Sequence, residues 1–305
     1  MMSNFKHVAV LMGGWSAERE VSLKSGQAVL DALVSQGVDA TGIDVDRDIC
    51  NVLQNGKFSH VFNVLHGRGG EDGEIQGLLD ILQIPYTGSG VLGSALTMDK
   101  LRCKQLWQGI SLPTPEYRVL ETEADCENAL DELGLPLMIK PVLEGSSIGI
   151  SKVNARSEML KAWKSACECG GAIIAEKFIQ GEEYTAAILN GEVLPMIRLK
   201  TDHDFYDYQA KYISDDTRYI CPCGLTEPFE AELGVIMKTA FDAVMAEGWG
   251  RVDFMLDNNQ QPWLIEVNTV PGMTDHSLVP MAAKQSGLSF EELVLKILQG
   301  ASRHG

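Results

Sequence analysis

WGRVDFMLDNNQQPWLIEVN, residues 249–268, reads as two strands folded back on each other. Asn258-Asn259 suits a tight hairpin turn. Val252, Phe254 and Leu256 on one arm match Trp263, Ile265 and Val267 on the other, and these make a core face. Side chains alternate along a strand, so Arg251, Asp253, Glu266 and Asn268 must share the opposite face. With a two-residue turn, Arg251 lies opposite Glu266. That face offers carboxylates, an amide oxygen and a guanidinium. Such oxygen donors suit Mg²⁺, which takes few carboxylates, some waters and phosphate oxygens. The plain alternative is a solvated face with surface ion pairs. The lack of lysines on this face and the backbone-rich TVPG (269–272) that follows favour a ligand site.

Outward from the hairpin, the last third continues in antiparallel style. Strands are expected at 184–190, 193–200 and 217–221, and a helix at 230–246. Between them lies a long polar loop, 201–216, expected to behave as a lid. A final helix begins at Ser289, with Glu292 completing a capping box. The middle third has strands at 136–141 and 149–153 joined by LEGSSI (143–148), then a helix at 158–167 and a strand at 172–178. The 144–149 loop lacks the Walker pattern and leads into a strand. Its small residues still let backbone N–H groups approach phosphate, beside Lys140. An ordinary Gly/Ser hairpin is the equal alternative.

The first third alternates strands (8–12, 41–45, 60–65) with helices (21–35, 75–82), which implies a parallel sheet covered by helices. One further helix is expected at 98–109, before the LPTP break at 112–115. Ligands gather at the carboxyl ends of parallel strands. Two glycine-rich loops fall there, GGWSAE (13–18) and HGRGGEDG (66–73), and they are expected to meet over one crevice.

The 305 residues imply two or three domains. A net charge of −17 argues against nucleic acid and anionic membrane as partners. An anionic ligand would need positive charge gathered locally. The longest N-terminal apolar run, Val8 to Met12, is too short for a signal peptide or a span, which makes the cytoplasm the expected address. The pairs Cys167/Cys169 and Cys221/Cys223 lack C-x-x-C spacing and read as reduced thiols rather than a zinc site.

Taken together, GGWSAEREVSL (13–23), NVLHGRGGEDG (63–73), KPVLEGSSIG (140–149), FYDYQAKY (205–212), GRVDFML (250–256) and EVNTVPGMTDHSLVP (266–280) resemble the D-alanine–D-alanine ligase branch of the ATP-grasp superfamily. The resemblance covers nearly the whole chain. It implies a mixed α/β and α+β architecture: a Rossmann-like parallel-sheet domain (1–97), then two α+β domains (98–183 and 184–305) gripping ATP. By resemblance, Lys100, Lys140 and Lys211 hold phosphates, under the loop that carries Ser146. Glu176, Lys177 and Ile179 edge the adenine, Glu183 binds the ribose and Phe205 belongs to the ATP site. Asp253, Glu266 and Asn268 match the ligands of two Mg²⁺ or Mn²⁺ ions.

Glu18 and His66 would receive the first D-alanine; Ser277 and Leu278 would receive the carboxylate of the second. Arg251 and Gly272 would stabilise the oxyanion, with Tyr212, Ser146 and Glu18 orienting substrates and relaying a proton. The implied role is peptidoglycan precursor synthesis by a homodimer, through an acyl phosphate. Trp15 and Val142-Leu143 depart from the usual pattern at positions without an assigned chemical role. Two alternatives stand beside this reading: a ligase of the same fold forming D-alanyl-D-lactate or another product, and a non-catalytic nucleotide-binding protein.

Overall fold

The computed structural model describes residues 5–145, 148–200 and 217–304. Ser146, Phe205, Lys211 and Tyr212, with the 201–216 loop, lie outside the described residues.

The chain begins with β1 (Val8–Gly13), α1 (Arg19–Ser35), β2 (Ala40–Val45), α2 (Ile49–Gly56), β3 (His60–Asn63), α3 (Glu74–Ile81) and α4 (Val91–Met98). The strands form a parallel sheet in the order β2-β1-β3. Every residue of β1 is buried, as expected of a parallel strand covered on both faces. The loops after β1 and β3 therefore leave the same end of the sheet. The sequence reading passed over α2, where Asn51, Asn55 and Gly56 mask a short helix anchored by buried Ile49 and Leu53. The sequence reading also passed over α4, and the helix expected over 98–109 starts two residues later than expected, after Asp99. Its extended backbone starts α5 (Lys100–Gly109), and its side chain accepts the Arg102 N–H as an N-cap.

Next come β4 (Tyr117–Leu120), α6 (Glu123–Leu133), β5 (Leu137–Pro141), β6 (Ser151–Val153), α7 (Met159–Cys167) and β7 (Ile173–Lys177). Their antiparallel sheet runs β4-β7-β5-β6. Leu137, Ile139, Ile173 and Ala175 share a core with residues of α6 and α7. Strand alternation sends Lys140, Ile174 and Glu176 to the other face, where Ile174 packs with Leu101 of α5.

The last part holds β8 (Gly181–Leu189), β9 (Glu192–Val193), β10 (Ile197–Lys200), β11 (Arg218–Ile220), α8 (Glu227–Ala243), β12 (Trp249–Asp257), β13 (Pro262–Asn268), α9 (Leu278–Gln285) and α10 (Phe290–Gln299). The strand expected over 193–200 is split between β9 and β10; Pro195 lies in the gap and has no N–H for a ladder. The sheet runs β11-β10-β8-β12-β13, with β9 on β8. Trp249, Ala187 and Leu189 join Val8 and Val10 in one core, closed by Val279, Ala282 and Leu293 of the terminal helices. The parallel sheet and the last sheet are thus fixed to each other. The Ser289–Glu292 capping box is present.

The hairpin register differs from the expected one. Arg251 faces Asn268 and Asp253 faces Glu266, with a bulge after Asp253. Beyond it Phe254 faces Leu264, which leaves Ile265 as the extra residue. The turn is also longer than two residues: Asp257 Oδ1 accepts the N–H groups of Asn259 and Gln261. The core face is therefore Val252, Phe254, Leu256, Leu264 and Val267, while Trp263 and Ile265 are only half-buried. The bulge lies between the turn and the functional residues, so Arg251, Asp253, Glu266 and Asn268 still share a face.

Candidate active site

The loops after β1 and β3 meet, as the sequence reading expected. Glu18 immediately precedes α1, and a Cβ built on Gly67 would lie 3.1 Å from its Oε2. A Cβ on Gly145 would lie 3.3 Å from the same oxygen, so Gly145 comes to Glu18 as well. His66 is 6% exposed. It has a hydrogen bond with the Val270 backbone, and burial holds its pKa below the ordinary histidine value. Among the described residues, its buried Nε2 has no hydrogen-bond partner.

Glu71 accepts the Gly67 N–H at 2.6 Å and has a second backbone hydrogen bond at Val270. Burial first, then the Glu18 charge, push its pKa up to about 8, against the pull of those backbone bonds. Sequence reasoning assigned Glu71 no role, although it stands in HGRGGEDG. It ties the loop after β3 to the segment after β13.

On the hairpin, Asp253 is 6% exposed and fully engaged. Arg251 donates Nε to Oδ1 at 2.7 Å and Nη2 to Oδ2 at 2.8 Å. Thr185 donates to Oδ1 at 2.7 Å, and Asn268 Nδ2 to Oδ2 at 3.0 Å. Glu266 pairs with Lys100 at 3.0 Å, and Lys100 also donates to the Glu144 carbonyl at 2.8 Å. Burial opposes the charge on Lys100, but Glu266 outweighs it and raises its pKa. One ammonium thus joins the hairpin to Glu144. Carboxylates and an amide oxygen on one face are hard donors, which fit a divalent cation such as Mg²⁺.

After β13, Met273 N–H donates to Ser25 of α1 at 3.0 Å, which fixes the loop carrying Gly272. A Cβ on Gly272 would lie 2.9 Å from Ser277 Oγ, so the close approach suits glycine. Ser277 precedes α9 and accepts the Thr274 N–H rather than capping the helix. The first amides of α9, from Leu278 onward, have no intrahelical acceptor and present partial positive charge.

A second group of charges sits on the central sheet. Lys140 donates to Glu176 Oε1 at 2.7 Å. Lys104 of α5 pairs with Glu176 Oε2 at 2.7 Å and donates to Thr114 Oγ1 at 2.8 Å. Thr114 in turn donates to the Leu264 carbonyl on β13 at 3.0 Å. Sequence reasoning missed Lys104; its i,i+4 spacing from Lys100 on one helix was the available signal. Lys177 is exposed, 3.9 Å from Glu116, and its side chain stands apart from this group. Ile179 and Glu183 are half-buried where the chain crosses from the central sheet to β8.

All seven cysteines are free thiols, and among the described residues no group of His, Cys, Asp and Glu gathers as a three-ligand metal site. No helix among the described residues is long and apolar enough to cross a membrane.

Residues 106–299 match the family described as D-ala D-ala ligase C-terminus, and residues 50–89 match D-ala D-ala ligase N-terminus. The D-alanine--D-alanine ligase of Pseudomonas entomophila (strain L48) is 58% identical over 294 residues, covering 96% of this chain and 92% of that protein. Among solved structures, the D-alanine--D-alanine ligase from Bacillus anthracis complexed with ATP superposes with a TM-score of 0.85 at 28% identity, covering 97% of each chain. The VanG D-Ala:D-Ser ligase from Enterococcus faecalis gives a TM-score of 0.86 at 31% identity, covering 97% of this chain and 99% of that one.

Proposed function

The chain belongs to the D-alanine–D-alanine ligase family, and we propose that it joins two D-alanine molecules in an ATP-dependent reaction. The observation that carries this reading is the meeting of Glu18, His66, Lys100 and the Asp253–Glu266 face near Glu144 and Gly145. A carboxylate is a poor electrophile. Transfer of the γ-phosphoryl group to a carboxylate oxygen of the first D-alanine releases ADP and leaves an acyl phosphate. The amine nitrogen of the second D-alanine then attacks the carbonyl carbon, the C–O bond to phosphate breaks, and the amine loses a proton.

Glu18 would bind the ammonium of the first D-alanine, with neutral His66 presenting Nε2 beside it. Arg251 and the Gly272 N–H would stabilise the oxyanion. The open amides at Leu278, with Ser277, would receive the second carboxylate. Lys100 and Lys140 would face phosphates. Asp253, Glu266 and Asn268 would hold Mg²⁺ or Mn²⁺, which supplies charge neutralisation at the transferring phosphoryl group. Roles for Ser146, Phe205, Lys211 and Tyr212 rest on the sequence resemblance. We place the reaction in the cytoplasm, where ATP is made and free thiols such as these stay reduced.

The fold alone does not choose the acceptor, since the similar VanG structure is a D-Ala:D-Ser ligase. The relatives at 55–58% identity are named D-alanine--D-alanine ligase, which favours D-alanine. The test is phosphate release from ATP and Mg²⁺ with D-alanine, D-serine or D-lactate, followed by mass analysis. Release that requires D-alanine and yields its dipeptide is expected; ATP turnover indifferent to D-alanine would overturn the reading.

A further inference from the structure

Glu176 is 2% exposed and lies between two ammonium groups, Lys140 and Lys104, each 2.7 Å from one of its oxygens. Lys104 is 1% exposed, and among the described residues its polar partners are Glu176 and the neutral hydroxyl of Thr114. The buried group therefore carries two positive charges and one negative. A buried excess charge is costly unless something outside compensates it. Lys140 is the member at the β5 end, where the chain enters the 144–149 loop.

We propose that Lys104 is a positioning residue for nucleotide binding: by occupying one oxygen of Glu176, it keeps Lys140 from being neutralised and leaves its charge for a phosphate group. This rests on the reading of the crevice as an ATP site. Without Lys104, Glu176 and Lys140 would form a one-to-one pair, drawn together and electrically silent toward a ligand. With Lys104, the carboxylate is shared and a full unit of positive charge remains at the crevice wall. The thread from Lys104 through Thr114 to the Leu264 carbonyl sets the ammonium against β13, two residues before Glu266. The same contact holds the nucleotide side and the hairpin in register. The titration tendencies agree with this count. Burial opposes ionisation of Glu176, but Lys104 and Lys140 outweigh it and lower its pKa. Burial, with Lys140 adding to it, pulls Lys104 down to about 8 despite Glu176. Lys104 behaves as the surplus cation.

A purely structural lysine and a charge-setting one differ in which ligands feel its loss. Dissociation constants of ADP and of adenosine are measured by calorimetry on the full-length protein, with Mg²⁺, for wild type, Lys104→Met and the double variant Lys104→Met/Glu176→Gln. Melting curves confirm that each variant is folded at the assay temperature. Lys104→Met should weaken ADP about tenfold, a size set by one unit charge acting through a partly screened site. Adenosine, which has no phosphate, should change by less than about twofold on the same electrostatic argument. Removing Glu176 as well frees Lys140 again, so ADP affinity relative to adenosine should return most of the way to wild type. Equal weakening of ADP and adenosine, or no recovery of their ratio in the double variant, would overturn the inference. Wild-type protein that binds no ADP would instead overturn the nucleotide reading itself.

Discussion

Two charge clusters are joined through α5, which carries Lys100 of one and Lys104 of the other, and they are built on opposite principles. The central-sheet cluster of Lys140, Glu176 and Lys104 is sealed, with exposures of 7%, 2% and 1%, and has one cation too many. The hairpin cluster pairs Asp253 with Arg251 and Glu266 with Lys100, so its charges balance. It is also more open, with the Glu266 side chain 17% exposed. A sealed, unbalanced cluster cannot rearrange cheaply; it acts as a fixed field. A balanced, half-open one can exchange partners when a cation or phosphate arrives. The difference teaches that one cluster is suited to holding an anion and the other to chemistry that moves charge.

The contrast is broken most directly at Glu266. Glu266→Gln keeps the shape and removes the charge that a divalent ion needs. Turnover should fall by at least about a hundredfold, roughly 3 kcal/mol in the barrier. Lys100 loses the carboxylate that offsets its burial but keeps the Glu144 carbonyl, so the melting temperature should fall less than it does for Glu176→Gln. Near-normal kcat at saturating Mg²⁺ would show that this face is not the metal site.

Glu176 should respond in the opposite sense, in stability. Glu176→Gln leaves two ammonium groups in a buried site without a counter-charge, a change that costs about 3 kcal/mol or more. The loss should be largest near pH 7. It should shrink above pH 8, because Lys104, already pulled down to about 8, can shed its proton. Denaturant unfolding of wild type and variant at pH 7 and pH 9 measures this. A cost below that of Glu266→Gln at both pH values would mean the sealed cluster is not sealed.

Much of the architecture was legible because periodicity is a local property. The alternation of 249–268 put Arg251, Asp253, Glu266 and Asn268 on one face, and they are there. What failed was register, since a bulge at Ile265 and an Asp257-centred turn are decided by backbone hydrogen bonds that alternation does not report. Asp99 was readable as the N-cap of α5, but the helix was started at Met98 because the cap bond to the Arg102 N–H is a backbone feature that apolar spacing does not report. Lys104 and Glu71 were hidden for a different reason. A lysine on a helix and an acid in a glycine loop are ordinarily solvated, and only three-dimensional packing buries them. Glu18 and His66 entered by resemblance, because glycine-rich strand ends are also routine turns and spacing alone left them weak.

Glu71 sharpens the comparison from a third side, since it is a buried acid under the like charges of Glu18 and Glu266. Burial, first of all, raises its folded pKa to about 8, from the ordinary carboxyl value that applies in the unfolded chain. A raised folded pKa means that the folded protein holds this proton more tightly. Its contribution to stability is complete below the unfolded value and is lost as pH rises through about 8. Glu71→Gln cannot ionise, and its amide oxygen can still accept the N–H groups of Gly67 and Val270. The variant should therefore match wild type near pH 5 and exceed it near pH 8.5, by about 1–3 kcal/mol after allowance for solvent screening. Ligand-free protein is the right sample, because a bound cation would change the field at Glu18 and Glu266. The measurement is the difference in unfolding free energy between variant and wild type across that range. A difference that stays flat would mean that Glu71 is ionised and balanced by solvent. A variant weaker at every pH would mean that the carboxylate's backbone bonds, rather than its protonation, hold the two loops together.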